Sequence, residues 1–434
     1  MADPLNILHT VGFQELYPIV RAELQLSSSL DRDRLIKAVQ RVHQIIPELV
    51  RKYDLNHNQF VNAGFTEDDV IHFVDCPKEN VAGDLDWERQ PQWAIYVSNQ
   101  QLIVYGSHIL FDGAGFKELL YLLAAAYNHP EQVQVKNHQD IDGIKRLIKQ
   151  VPSTSKNNDH PKKKLFLPKL ANSQSAAAKY QVIVQRISAD QFRKLHQRTH
   201  EAGITLNDLF MAAFGKAVQQ YCGIDEINLA CPTDMRQYLS DAEQNQLRVQ
   251  NLTGRYNVGI KAPLDENLVA TAMQIHEDMN EAKEQRAFLE SFRTMLNNLA
   301  QGATVRELQR DVEQHYHVRE IAYTNMAIID DHRLTFNGIE VQTAILSGGF
   351  RRMPHYQICV NTFKNQLSLV ANVIGTPEEI QFARSVMTMM RLYLWLYTKS
   401  CWWITFGNLL MGFFPFIIKK EVIIDLIPSI NHHN

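Results

Sequence analysis

The sequence predicts an α/β protein made of two domains, each with a mixed or mostly antiparallel sheet. The chain has 434 residues, which exceeds the size at which a single hydrophobic core usually stops growing. Strand patterns and amphipathic helix patterns occur in both halves, and a polar stretch separates them. We place the first domain at residues 1–150, a linker or crossover at 151–178 and the second domain at 179–399.

The first half begins with a predicted strand and continues with a predicted helix. Residues 5–26 alternate loosely between apolar and polar side chains, as a strand does. Apolar residues then recur at helical spacing from Leu35 to Ile46, and Pro47 marks the end of that helix. A second helix is predicted for residues 115–127, "GFKELLYLLAAAY", by its apolar face. Further strand candidates are residues 59–76 and 92–107.

A polar region follows the first half and predicts a crossing segment. Residues 129–178 are rich in Lys, Asn and Ser and are poorly periodic. Within them, "PKKKLFLPK" at 161–169 has two interpretations, a solvated loop or a contact with an anionic ligand, and we favour the solvated loop.

The second half contains the strongest structural signal in the chain. Residues 205–221, "TLNDLFMAAFGKAVQQY", combine a capping-box start at Thr205 and Asp208 with an apolar stripe, which predicts a buried helix. "LTFNGIEVQTAIL" at 334–346 places Asn-Gly between alternating runs and predicts a hairpin. A second strand pair is predicted around the Lys364-Asn365 turn.

Composition excludes several classes of protein. Hydrophobic residues make up 45% and charged residues 21% of the chain, as in ordinary globular proteins. A net charge of −3 argues against a nucleic-acid binder, which needs a basic surface. The five cysteines are scattered without a C-x-x-C pair, so neither a disulfide framework nor a metal site is predicted. A reducing compartment and the absence of a secretory signal at the N-terminus predict a cytoplasmic protein.

"VYGSHILFDGAGF" at 104–116 is the candidate for chemistry. Histidine is suited to act as a general base near neutral pH, and a turn after a strand can present His108 at a cavity. Asp112, four residues later, can hold the turn, and glycines at 113 and 115 permit unusual backbone angles. Taken alone, the pattern favours a structural histidine. No nucleophile pairs with His108 in the sequence, so any chemistry needs one base and an external nucleophile.

A resemblance to a known superfamily instead favours a catalytic role for His108. "SHILFDGAGFKELL" resembles the His-x-x-x-Asp-Gly motif of the chloramphenicol-acetyltransferase-like superfamily. That superfamily includes condensation domains of nonribosomal peptide synthesis, alcohol acetyltransferases, polyketide-associated acyltransferases and the plant BAHD enzymes. Three further stretches resemble its motifs in the same order: "TLNDLFMAAFGKAV", "CPTDMRQYL", and "TNMAIID" followed by "LTFNGIEV". The similarity spans roughly residues 5–395.

The resemblance implies a fold and a reaction. The fold would be two chloramphenicol-acetyltransferase-like α/β sandwich domains with an active-site channel between them. His108 would deprotonate a hydroxyl or amine acceptor, which attacks an acyl thioester on coenzyme A or on an acyl or peptidyl carrier protein. Asp112, the second catalytic position of the motif, would pair with Arg236 rather than move protons, and Gly113 would keep the turn tight. The reaction implies no metal and no cofactor beyond the thioester donor, and we expect a monomer.

Departures from the superfamily pattern narrow the function. Condensation domains usually carry two adjacent histidines, and Ser107 replaces the first, which favours simpler acyl transfer over peptide condensation. The Asp-Phe-Gly-Trp-Gly motif of the plant enzymes is absent. Ala327 stands where the superfamily often has glycine. We expect Ser107 and Asn325 to line the channel.

Two other functions stay open beside the acyltransferase. One is a non-catalytic module of the same fold that binds a carrier protein or a lipid. The other is an amide-forming condensation enzyme of the nonribosomal peptide type.

The C-terminal extension, residues 400–434, departs from the superfamily. Residues 400–418 carry no charge and are just long enough for a membrane span. Three alternatives are open: a tail that contacts a membrane, an apolar extension packed on the protein, and a terminus unrelated to that of the superfamily.

Overall fold

The protein is built on two sheets, seen in a computed structural model that describes residues 4–10, 16–76, 79–153, 163–170, 177–315 and 319–399. Within these ranges the strands are β1 (Leu16–Tyr17), β2 (Ile19–Leu26), β3 (Arg51–Asp54), β4 (Gln59–Asn62), β5 (Ile71–Phe73), β6 (Trp93–Val97), β7 (Gln101–Ser107), β8 (Lys179–Ile187), β9 (Glu226–Asp234), β10 (Thr253–Lys261), β11 (Ile321–Ile329), β12 (Val341–Ser347), β13 (Phe350–Arg352), β14 (Tyr356–Phe363) and β15 (Gln366–Gly375). The helices are α1 (Arg32–Ile45), α2 (Gly113–Asn128), α3 (Asp142–Gln150), α4 (Ala189–Glu201), α5 (Leu206–Cys222), α6 (Asp241–Gln244), α7 (Leu268–Glu284), α8 (Leu289–Ala300), α9 (Val305–His315) and α10 (Pro377–Thr398).

The smaller sheet carries the strand that ends at the candidate histidine. Its order is β12-β2-β7-β6-β5, and β7 is paired on both sides by antiparallel neighbours. Leu102 and Val104 of β7 pack in the same cluster as the buried faces of α1 and α2. Ile103 and Tyr105 pack in a different cluster on the opposite face. Because β7 is covered on both faces, its end lies inside the molecule rather than at the surface.

The larger sheet carries the helix with the strongest sequence signal. Its order within the described residues is β1-β13-β15-β14-β11-β9-β10, with β8 beside β15. Helix α5 packs between α7 and α10. Both hydrogen bonds of the Thr205–Asp208 capping box are present, and Gly223 ends the helix with a φ of 66°. The prediction of a buried helix is confirmed, since twelve consecutive residues from Asp208 to Gln219 are buried.

The two lobes exchange segments. β12 follows β11 of the larger sheet along the chain but pairs with β2 of the smaller one. In the opposite direction, Leu5 and Ile7 near the N-terminus and Ile144 of α3 pack into the core of the larger lobe. The predicted domain boundaries stay a prediction, and packing crosses them in both directions.

Two segments differ from their predicted secondary structure. The predicted strand 5–26 holds only from β1 onward among the described residues, because Pro4–His9 forms a 3-10 helix whose Leu5 and Ile7 are buried. α3 lies in the region predicted to be poorly periodic. Its buried residues Ile144 and Leu147 do keep helical spacing, but nine residues among polar neighbours give a weak pattern.

Residues 163–169 of the lysine-rich stretch pack against the larger lobe, so the interpretation as a solvated loop was wrong for them. Leu165 and Leu167 are both 2% exposed and belong to the core of the larger lobe. The Lys163 ammonium pairs with Asp225, and Lys164 lies 3.3 Å from Glu320. Two of its cations are therefore engaged by the protein itself.

The predicted turns are both present, but only one joins paired strands. Lys364 and Asn365 adopt positive φ angles of 46° and 62° between the antiparallel β14 and β15, which confirms that strand pair. Asn337-Gly338 also forms a turn, with an isolated bridge between Phe336 and Ile339. The predicted hairpin was wrong there, because β12 pairs with β2 instead.

None of the helices in the described ranges combines the length and apolar character needed to cross a bilayer. Residues 400–418 lie outside the described residues.

Lys216, buried inside α5, predicts a pH dependence of stability. It is 1% exposed, and its ammonium donates to the carbonyl oxygen of Pro263. Burial lowers the pKa of this amine to about 8, against about 10.4 in an unfolded chain. Between these values the unfolded chain binds more protons than the folded one, so the free energy of unfolding should rise with pH.

The measurement is urea unfolding of the wild type and of Lys216→Met at about pH 7.5 and about pH 9.5. We expect the wild type to gain roughly 2 kcal/mol relative to Lys216→Met over this interval. Lys52→Met, at an exposed position, is the matched control and should show no such change. A constant difference between wild type and Lys216→Met would contradict the assignment.

Candidate active site

A cavity of about 310 Å³ lies where the ends of the two sheets meet. Its wall combines the residue after β7, the first turn of α2, the facing ends of β9, β10 and β11, and the N-terminal segment. The polar and charged residues that line it include His9, Tyr17, His108, Lys117, Thr233, Asp234, Thr253, Arg255, Arg319, Thr324, Asn325, Arg351 and Gln357.

His108 is the first residue after β7 and reaches this cavity. Its backbone N–H donates to the carbonyl oxygen of Pro18 at 2.9 Å. Its side chain is half-buried, and Nδ1 has no hydrogen-bond partner in the described part of the chain. Burial lowers the pKa of the imidazole, and the charge of Asp112 offsets only part of that effect. The ring is therefore unprotonated near neutral pH and can accept a proton.

Both carboxylate oxygens of Asp112 accept hydrogen bonds from protein groups. It is 1% exposed and caps α2, with Oδ1 accepting from the Gly115 N–H at 2.8 Å. Oδ2 accepts from the Leu252 N–H at 2.7 Å, the Thr253 hydroxyl at 2.9 Å and the Arg236 Nη1 at 3.0 Å. One carboxylate thus joins the start of α2 in the smaller lobe to the start of β10 in the larger one.

The charges around Asp112 keep it ionised. Burial acts to raise the pKa of this carboxyl, but the Arg236 guanidinium and the backbone hydrogen bonds outweigh it and lower the pKa. Asp234 also pairs with Arg236, with its Oδ1 atom 2.9 Å from Nη1, and burial raises the pKa of the Asp234 carboxyl. The geometry therefore gives Asp112 no proton to transfer.

Arg236 fixes a loop as well as the carboxylates. Its Nη2 donates to the carbonyl oxygens of Arg248 at 3.0 Å and Gln250 at 2.8 Å. The next residue, Asn251, is 1% exposed, and its Nδ2 donates to the carbonyl oxygen of His108 at 3.0 Å. The guanidinium therefore orients the backbone that holds the histidine.

Gly113 and Ser107 have roles that differ from the predicted ones. Gly113 lines the cavity. Its φ angle is not positive, so the backbone conformation of the turn does not require glycine at this position. A Cβ there would overlap the sulfur of Met326, so glycine permits close approach of β11. Ser107 is fully buried and is not part of the cavity wall. Side chains alternate along a strand, and Ser107 shares the face of Ile103 and Tyr105.

Asn325 lines the cavity and stabilises an irregularity in β11. Its Oδ1 accepts from the Ala327 N–H at 2.7 Å, and the register of β11 shifts between Asn325 and Ile328. Ala327 has a φ of 57°, in the left-handed region that favours glycine. Ala327 therefore adopts the left-handed backbone conformation that glycine adopts most easily, at the position where the superfamily often has glycine.

Several residues of the site were not predicted, and His9, Lys117, Asn251 and Thr253 are four of them. His9 stacks on the His108 ring with centroids 4.3 Å apart and an interplanar angle of 20°. The Lys117 ammonium, whose pKa is lowered by burial, donates to the carbonyl oxygen of Met326 at 2.8 Å. Lys117 follows Gly113 by one helical turn and could have been found from that spacing, whereas the other three reach the site only through tertiary packing.

Comparisons with known proteins show that this architecture occurs in other solved structures. No family model matches the chain, and no curated protein matches it. Among solved structures, polyketide synthase associated protein 5 from Mycobacterium tuberculosis is 13% identical, with a TM-score of 0.63 over 92% of this chain and 97% of that chain. The TRI3 trichothecene 15-O-acetyltransferase from Fusarium sporotrichioides is 11% identical, with a TM-score of 0.63 over 91% and 95%. The EpoB cyclization-docking bidomain from Sorangium cellulosum is 15% identical, with a TM-score of 0.61 over 92% and 84%.

The TM-scores and coverage, rather than the low identities, establish the fold and nothing beyond it. The chain shares its two-lobed α/β fold with these solved structures, which confirms the predicted fold class.

The first prediction from the site concerns the Asp112 carboxylate. Asp112→Asn removes the more deeply buried of the two carboxylates that pair with Arg236 and leaves only Asp234 beside the guanidinium. It should lower the free energy of unfolding by about 3 kcal/mol, because breaking a buried charge pair is costly. Asp31→Asn is the matched control, since Asp31 caps α1 at an exposed position, and it should cost less than about 1 kcal/mol. Urea unfolding measures both, and equal effects would contradict the role given to Asp112.

The second prediction concerns Ala327. Ala327→Gly should raise the free energy of unfolding by about 1 kcal/mol, because the left-handed backbone is strained for alanine and not for glycine. Ala63→Gly, at an exposed position without a positive φ, should instead lower stability slightly. Loss of stability in Ala327→Gly, measured by urea unfolding, would argue that the backbone there is not left-handed.

Proposed function

We propose that the protein is an acyltransferase that moves an acyl group from a thioester of coenzyme A or of a carrier protein to a hydroxyl or amine acceptor. One observation carries the proposal: the unprotonated imidazole of His108 lines a cavity between the two lobes. The likeness of the fold to an acetyltransferase and to domains of nonribosomal peptide synthesis supports this class of reaction.

The proposed reaction needs one base and no protein nucleophile. His108 takes the proton from the acceptor O–H or N–H as the acceptor oxygen or nitrogen attacks the thioester carbonyl carbon. The tetrahedral intermediate collapses with cleavage of the C–S bond. The thiolate leaves and takes the proton from the His108 imidazolium, which yields the free thiol and restores the neutral base.

Asp112 and Arg236 support the base without touching the acceptor in this scheme. Their ion pair closes the start of α2 and fixes the loop that holds the His108 carbonyl oxygen. A near-attack geometry depends on such fixed positions, so their effect on rate acts through the placement of His108.

The dimensions of the cavity and residue 107 favour a small acceptor. About 310 Å³ lies at the small end of the range for ligand pockets. The absence of a histidine at position 107 separates the motif from that of peptide condensation domains. We therefore favour ester or simple amide formation, with no metal or further cofactor in the scheme.

The test is thiol release from a panel of acyl-coenzyme A donors of increasing chain length, each with small alcohols and amines. His108→Ala should lower turnover by at least about 100-fold, because that is the lower end of a general-base contribution. His72→Ala is the matched control, since His72 stacks on Tyr96 and does not line the cavity, and it should leave turnover unchanged.

The pH dependence of turnover is an independent test of His108 as the general base. Because burial lowers the pKa of His108, turnover should stay constant as pH falls to about 6.5, the ordinary histidine value, and should drop only below it. Near-wild-type turnover of His108→Ala would contradict the base. Binding of a carrier protein or lipid without thiol release would favour the non-catalytic module.

A further inference from the structure

A second histidine lies against the candidate base. The rings of His9 and His108 stack with centroids 4.3 Å apart and planes 20° from parallel, and both residues line the cavity. Stacked rings at this separation are in direct contact. The contact is therefore part of the cavity wall rather than of the core beneath it.

The two stacked residues belong to different lobes. His108 follows β7 of the smaller sheet, whereas His9 ends the 3-10 helix Pro4–His9. Leu5 and Ile7 of that helix are 1% and 0% exposed in the core of the larger lobe, and the helix contacts α8 and α9. The segment is held firmly, so the His9 ring is presented from a fixed support.

Asn251 ties the two segments together. Its Nδ2 donates to the carbonyl oxygens of His108 at 3.0 Å and Ile109 at 2.7 Å, and it lies 3.3 Å from Asn6 Oδ1. The backbones on both sides of the stack are thus fixed by one buried amide.

Among the described residues, the Nδ1 side of the His108 ring has no equivalent hydrogen bond. Its Nδ1 has no partner in the described part of the chain, and the Asp112 carboxylate is occupied by Gly115, Leu252, Thr253 and Arg236. No hydrogen bond from the described residues at Nδ1 fixes the orientation of the ring, so packing against the ring contributes to it.

We propose that His9 is a positioning residue for the base: its stacked, neutral ring fixes the plane of the His108 imidazole and keeps water off one face of it. This inference rests on the proposed function of His108. His9 acts through His108 and not on the acceptor.

The charges near the stack agree with a neutral His9. Burial lowers the pKa of His9 well below the ordinary value, and the neighbouring His108 lowers it further, while Asp112 at the start of α2 acts in the opposite direction. The other charged groups that line the cavity are Lys117, Asp234, Arg255, Arg319 and Arg351. His9 therefore stays neutral when His108 takes up a proton, because burial disfavours its charged form and two stacked imidazolium ions would repel.

Two substitutions separate the ring from its nitrogens. His9→Phe keeps a stacked ring and removes both nitrogens, whereas His9→Ala removes the ring. We expect His9→Ala to lower kcat about tenfold, the scale of an aromatic contact, and His9→Phe to stay within about twofold of wild type. Equal losses in both variants would mean that a His9 nitrogen is needed and would overturn the proposal.

A titration of His108 by NMR tests the stack without relying on activity. The His108 signal is identified by its loss in His108→Ala. In His9→Ala water reaches the uncovered face, so the pKa of His108 should rise toward the ordinary value, whereas His9→Phe should leave it unchanged. His72→Ala removes a comparable stack, 4.7 Å from Tyr96 and away from the cavity, and should leave the His108 titration unchanged.

The outcomes separate the two proposals. An unchanged pKa of His108 in His9→Ala overturns the positioning role, whatever the activity. Full thiol release by His108→Ala overturns the proposed function, while the titration still decides the stack. If His9→Ala fails to fold, His9→Leu takes its place, because leucine fills the space without a ring that can stack.

Discussion

The buried ion pair between Asp112 and Arg236 is the contact on which the rest of the site depends. Removing both groups from water costs several kcal/mol per ion, which the pair offsets only with well-placed hydrogen bonds. Those bonds are present: Asp112 accepts from four groups, and Arg236 also donates to two carbonyl oxygens of the loop that precedes Asn251. The ion pair therefore acts mainly by fixing α2, β10 and the loop that precedes Asn251 relative to one another.

Local sequence patterns predicted those parts of the fold that are decided locally. α1, α2 and α5 have strong periodicity, and the Lys364-Asn365 turn fixes the pairing of β14 with β15 through its own backbone angles. α3 was missed because its apolar residues are few. The hairpin at Asn337 was predicted wrongly, because a turn signal does not specify which strand a neighbouring segment pairs with, and β12 finds β2.

The candidate site shows the same limit. His108 and Asp112 lie in one short motif, so the sequence could indicate both. Arg236 was reached only through the order of motifs. His9 and Asn251 carry no local signal, since each is an ordinary polar residue in its own segment and meets His108 only when the lobes come together. Ser107 was misplaced because the motif does not show on which face of β7 each residue lies.

The exchange of segments between lobes constrains how the cavity can open. β12 pairs with β2 from Val341 to Ser347, and Leu5 and Ile7 are buried in the other lobe. Separation of the lobes as rigid bodies would break this ladder and expose those apolar side chains together with the Asp112–Arg236 pair. Each of these changes is costly. We therefore expect the substrates of the proposed reaction to enter along the cavity, past fixed walls, while the stacked histidines keep their spacing.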